Sequence, residues 1–200
     1  MHVMLLHGFG APADDLVPLA QVLDVRAQFS FPAAPIDMGP QYFGGRAWWM
    51  LDPDVFDHPE RDRSNETPEG LNAAREQILA AIEKIDGPLV IGGFSQGAML
   101  ACDVALHTSR PLAGLVLMSA TLINAPEWRK LAPTRKGLPV FQSHGTRDPL
   151  LTFEAAEKLR DLLADAGLAV EFHPFRGGHE IPADVISTLP LLFVVAHGYC

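Results

Sequence analysis

The chain has 200 residues, 48% of them hydrophobic and 20% charged, a balance that suits a single domain over 1–200 and excludes a fibrous or disordered chain. Its formal net charge is -9, and its 15 Lys and Arg are scattered, which argues against nucleic acid as a partner. Two cysteines, Cys102 and Cys200, form neither a disulfide framework nor a metal motif, so no metal is expected and a reducing, cytoplasmic setting fits best.

Short apolar runs alternate with longer helical patterns along the chain. A parallel sheet requires this alternation, because each crossover must carry the chain back. The first run, His2 to Leu6, follows Met1 without a basic leader and reads as a strand rather than a secretion signal. A helical pattern over Asp14 to Leu23 and a second run over Ala27 to Phe31 come next. Pro32 to Thr67 is rich in Pro, Gly, Asp and Arg and carries Trp48 and Trp49. It is long for a loop and is expected to act as a lid or substrate wall.

A helix is predicted over Pro68 to Ile85, with Thr67 as its cap and Pro68 at its first position. Leu71, Ile78, Ala81, Ile82 and Ile85 share one face, as a helix laid on a sheet requires. Strands are predicted over Leu89 to Phe94, Leu112 to Met118, Val140 to His144 and Val170 to Phe175. Helices are predicted over Gln96 to Thr108 and Thr152 to Ala166, with a closing segment from Pro182. Several strand runs are continuously apolar, which suits strands covered on both faces. Leu189 to Ala196 is strongly apolar, but it is short and contains Pro190. It reads as a core helix and cannot cross a bilayer of about 30 Å. The fold class is α/β, with a single mostly parallel sheet flanked by helices.

The sharpest chemical signal is Gly93-x-Ser95-x-Gly97, set between a buried-type strand and a helical run. A nucleophile elbow crowds its serine from both sides, so small residues are wanted two before and two after it. Ser95 is the candidate nucleophile. The free amides of the following helix, that of Gln96 included, would face developing negative charge and supply half of an oxyanion hole.

Acid and base should lie on loops after later strands, in the order Ser, acid, His. Arg176-Gly-Gly-His179-Glu-Ile-Pro182 follows the last strand and makes His179 the candidate base. Gly145-Thr-Arg-Asp148-Pro149 follows the strand before it and makes Asp148 the candidate acid. Glu180 and Asp184 are rivals too local to His179 to orient it easily, and His173 reads as packed within its strand. The turn His7-Gly8-Phe9-Gly10 should provide the second oxyanion donor, Phe9 being the best placed, with His7 bracing the loop. Trp48, Trp49 and Leu150 are candidate substrate contacts, although the tryptophan pair reads equally well as plain core.

Four segments, Leu6-His-Gly-Phe-Gly10, Gly92-Gly-Phe-Ser-Gln-Gly-Ala98, His144-Gly-Thr-Arg-Asp148 and Gly177-Gly-His-Glu-Ile181, together resemble the phospholipase/carboxylesterase family, which includes the acyl-protein thioesterases. Phe31-Pro-Ala-Ala-Pro35 and the tryptophan pair resemble the same family. The resemblance implies an α/β-hydrolase fold with no large cap domain, a triad of Ser95, Asp148 and His179, and oxyanion donors on Phe9 and Gln96. It also implies Trp49 in the acyl pocket, and a small ester or thioester substrate hydrolysed without a cofactor. The segment after the tryptophans and the proline-broken closing helix depart from the family pattern.

The leading reading is a carboxylesterase for short to medium acyl esters. A thioesterase or lysophospholipase on the same machinery and a non-catalytic hydrolase-fold binding protein are the alternatives. The apolar terminus leaves a homodimer open.

Overall fold

The computed structural model describes residues 1–23 and 25–189. The predicted core helix beyond residue 189 and Cys200 lie outside the described residues. Strands β1 (His2–Leu6), β2 (Gln28–Ser30), β5 (Leu89–Phe94), β6 (Gly114–Met118), β7 (Pro139–Gly145) and β8 (Ala169–Phe175) form one sheet in the order β2-β1-β5-β6-β7-β8. Every pairing in it is parallel. A two-stranded antiparallel ribbon, β3 (Ile36–Asp37) with β4 (Arg46–Ala47), stands beside it.

The continuous apolar runs are explained by burial on both faces. Met4, Leu6, Leu89 and Ile91 belong to one core cluster, and the intervening Val3, Leu5 and Val90 to another. The first cluster is covered by α3 (Leu71–Ile82), α4 (Gln96–His107) and α6 (Phe153–Asp165). The second is covered by α1 (Val17–Val22) and the helical residues 183–189.

Strand order reverses at β1. The chain steps outward to β2, then returns to pair β5 on the other side of β1. Such a switch point opens a crevice at the carboxyl ends of the two central strands, where loops leave in opposite directions. The turn after β1 and the residue after β5 therefore meet there.

Three predictions are corrected. The third helix begins at Leu71, after Gly70 in the left-handed region (φ 94°), and not at Pro68. Thr67 does not cap it; the Thr67 hydroxyl donates to Asn124 Oδ1 at 2.9 Å. The Pro32 to Thr67 stretch is not wholly irregular, since it holds β3, β4 and the single-turn α2 (Asp54–Asp57). An additional helix, α5 (Ala125–Leu131), was too short to leave a periodic signal.

Helix α4 is buried from Gln96 to Leu106. Its one charge, Asp103, is 0% exposed. Arg75 of α3 donates to Asp103 Oδ2 at 3.0 Å, and the Trp128 indole of α5 donates to Oδ1 at 2.7 Å. One carboxylate thus ties three helices, and deleting it would strand a buried indole donor and leave Arg75 with only the longer contact to Glu76, at 3.7 Å. Asp103→Ala is expected to lower unfolding free energy by about 3 kcal/mol, measured by denaturant titration.

Candidate active site

Ser95 follows the last residue of β5 and precedes the first turn of α4, with φ 54° and ψ -121°. A non-glycine residue in that region is strained and must be held by its surroundings. The Ser95 amide donates to the Met118 carbonyl at 2.9 Å, and the Ser95 carbonyl accepts from the amides of Ala98 and Met99 at 3.0 and 3.1 Å. A Cβ on Gly97 would overlap the carbonyls of Leu6 and His7. Only glycine lets the helix start against the end of β1. The Gln96 amide, at the first helical position, has no partner within the helix.

The turn after β1 touches the serine: a Cβ on Gly8 would lie 3.5 Å from Ser95 Cβ. His7 is buried behind this turn. Its Nε2 accepts from the Ala34 amide at 3.2 Å, which leaves Nδ1 as the protonated nitrogen, 2.9 Å from the Gly8 carbonyl oxygen that accepts from it. Burial lowers the His7 pKa against the opposing pull of that carbonyl, and so favours the neutral ring. The Gln96 side chain faces away from any chemistry. Its Oε1 accepts from the Trp48 amide at 3.0 Å, and its Nε2 donates to the Trp49 carbonyl at 2.8 Å.

Asp148 and His179 come from the loops after β7 and β8, which are zipped together. The Thr146 amide donates to the Phe175 carbonyl at 2.8 Å and the Arg147 amide to the Gly177 carbonyl at 3.0 Å. A side chain on Gly145 would collide with the carbonyls of Gly177 and Gly178. His179 Nδ1 lies 2.7 Å from Asp148 Oδ2 and donates to it. Asp148 Oδ1 accepts from the amides of Leu150 and Leu151, each at 2.9 Å.

Burial alone would raise the Asp148 pKa, but the hydrogen bonds from His179 and the two amides outweigh it and hold the carboxyl below its ordinary value. With Nδ1 protonated, His179 presents Nε2 as a free base. The ring of Phe94 packs against His179 at 4.7 Å between centroids.

Of the rivals, Glu180 accepts from the Gly178 amide and Asp184 from the Val185 amide. His173 stacks on Phe141 and pairs with Glu171. Sequence reasoning passed over His144, whose Nε2 donates to the Leu151 carbonyl at 2.8 Å and lies 3.4 Å from Asp148 Oδ2. The signal available was its place four residues before the acid.

A cavity of about 940 Å³ is lined by Phe9, Trp49, Ser95, Gln96, Leu150 and His179, six of the predicted site residues. Asp148 stands behind His179. Trp48 is corrected. It is 1% exposed and does not line the cavity, because its indole donates to the His7 carbonyl at 2.9 Å and its ring lies against the His7 ring.

Met99, Leu122, Ile123 and Leu151 add apolar wall that the sequence did not single out. Much of the remaining lining comes from the 49–69 stretch. There Arg61 and Arg63 pair with Asp54 at 2.8 and 2.6 Å, and Lys158 of α6 pairs with Asp62 at 3.0 Å. Among the described residues no group of three or more His, Cys, Asp or Glu is placed to hold a metal ion, and no helix is long and apolar enough to cross a membrane.

Comparison with known proteins gives the chain a family. The profile of the Phospholipase/Carboxylesterase family matches residues 1–190. Acyl-protein thioesterase 1 of Mycosarcoma maydis is 30% identical over 202 residues, 86% of this chain and 81% of that protein. Acyl-protein thioesterase 1 of Neurospora crassa is 31% identical over 148 residues, 66% of this chain but only 60% of that protein's length. The crystal structure of esterase PE8 is 27% identical and superposes with a TM-score of 0.81 over 96% of this chain and 91% of its own. The chain belongs to the phospholipase/carboxylesterase family and is a serine hydrolase of the α/β-hydrolase fold.

Proposed function

We propose that the protein is a carboxylesterase that hydrolyses short to medium acyl esters through an acyl-enzyme on Ser95. The observation that carries this is the 2.7 Å hydrogen bond to the buried Asp148 from His179, which lines the same cavity as the strained Ser95. His179 Nε2 takes the hydroxyl proton of Ser95 as Oγ bonds to the acyl carbon. The carbonyl oxygen becomes an oxyanion that accepts from the amides of Phe9 and Gln96. Collapse expels the alcohol, which receives the proton from His179. A water molecule, deprotonated by the same ring, then releases the acid and restores Ser95. The apolar wall of Trp49, Met99, Leu122 and Ile123 supports an alkyl acyl group.

A thioester substrate is the second reading, favoured by the name of the fungal relatives. It needs no other residue, because a thiolate leaves more readily than an alkoxide. Relative rates on an octanoyl ester and an octanoyl thioester separate the two.

Ser95→Ala is expected to reduce turnover of nitrophenyl butyrate by about 10⁴ to 10⁶, with a melting temperature close to that of the wild type, since alanine keeps the Cβ and the same backbone conformation. Turnover within tenfold of the wild type would remove Ser95 from the reaction. Asp148→Asn is expected to cost about 10³ to 10⁴ in kcat, because an amide can offer its N–H to His179 Nδ1 and so favour the wrong tautomer. Steady-state kinetics across nitrophenyl acetate, butyrate and octanoate check both variants and report the acyl preference.

A further inference from the structure

Gly8 brings the turn after β1 close enough to meet Ser95 and Phe94: a Cβ at this position would stand 3.5 Å from Ser95 Cβ and 3.3 Å from the Phe94 ring. The same absence of a side chain makes rotation of the Gly8–Phe9 peptide inexpensive. That rotation matters because the peptide is planar and trans, so its carbonyl and its N–H point in opposite directions. In one orientation the Phe9 amide can face the cavity that Gly8 and Phe9 line with Ser95. In the other, the Gly8 oxygen would face it, and an acceptor would stand where a developing oxyanion needs a donor.

The Gly8 carbonyl is held by two donors, His7 Nδ1 at 2.9 Å and the Ala11 amide at 3.3 Å. The imidazole is the shorter and better placed of the two. Its proton is kept on Nδ1 because the Ala34 amide donates to Nε2 at 3.2 Å. Ala34 is itself held from its other side, its carbonyl accepting from Arg46 Nε. The ring cannot swing away, since Trp48 packs on it at 5.4 Å between centroids and donates its indole N–H to the His7 carbonyl. Trp48 is in turn held by the side chain of Gln96, whose own amide is the other proposed donor.

We infer that His7 is a positioning residue for the oxyanion hole: its Nδ1–H locks the Gly8 carbonyl away from Ser95 and thereby aims the Phe9 amide at the reacting carbonyl oxygen. The chain of contacts from His7 through Trp48 to Gln96 sets the two donors in one rigid frame. This inference rests on the proposed ester hydrolysis at Ser95, and the experiment below keeps the two apart.

Two substitutions separate the lock from packing. In His7→Asn the amide N–H can take the place of Nδ1–H and still reach the Gly8 carbonyl, while the acceptor for Ala34 is lost. In His7→Gln the amide reaches the place of Nε2 and can still accept from Ala34, while the Gly8 carbonyl loses its side-chain donor. With nitrophenyl butyrate, His7→Gln is expected to lose about 30- to 100-fold in kcat with KM within about twofold, and His7→Asn to stay within about fivefold of wild-type kcat.

Equal losses in the two variants, or a loss expressed in KM alone, would overturn the positioning role. Should His7→Gln fail to fold, His7→Asn decides alone: near-wild-type kcat supports the lock and a hundredfold loss overturns it. A wild type that neither hydrolyses esters nor labels at Ser95 with a fluorophosphonate overturns the ester-hydrolysis proposal, and with it this one. An active wild type alongside an unimpaired His7→Gln overturns the lock only.

Discussion

The carbonyls of Leu6 and His7 occupy the space where a side chain at position 97 would stand, and the rest of the site follows from that contact. Because α4 begins against the end of β1, the two central strands deliver their trailing residues to one point. Ser95 is forced into a positive φ there, and the turn at Gly8 is brought against it. The strain at Ser95 is held by a hydrogen bond donated to β6 and by two accepted from the helix it opens. The strained geometry at Ser95 is thus a by-product of packing between a strand end and a helix start.

A second close approach repeats the device at the other half of the site. Gly145 lets the loop after β8 lie on the loop after β7, and backbone hydrogen bonds zip them. The pairing of Asp148 with His179 then needs no long-range search by either side chain. Asp148 remains ionised because two backbone amides and one imidazole N–H converge on it, which more than compensates for its burial.

What was legible in the sequence is what the backbone constrains. His2–Leu6 and Leu89–Phe94 were readable to the residue because both strands are buried on two faces and so are apolar throughout. Ser95, Asp148 and His179 could be singled out because each follows a strand in a turn that holds glycine, and the structure brings Asp148 and His179 together. The cavity wall was not, because Met99, Leu122 and Leu151 come from separate segments and bear no common pattern. Trp48 misled for a related reason: an indole beside a reactive cleft and one that braces the loop behind it are spelled alike. The seven-residue α5 and the two-residue strands β3 and β4 hold too few repeats of their periods to be recognised.

The outer wall of the cavity is tied differently from its floor. Around Asp54, Arg61 and Asp62 it is held by ion pairs at the surface, including that between Lys158 and Asp62, where both side chains are partly exposed. Contacts of this kind contribute little to folding and weaken as ionic strength rises. Substitutions at the exposed members of these ion pairs therefore reshape the rim of the cavity at little cost to the fold, while the elbow and the zipped loops, fixed by steric contact, keep their geometry.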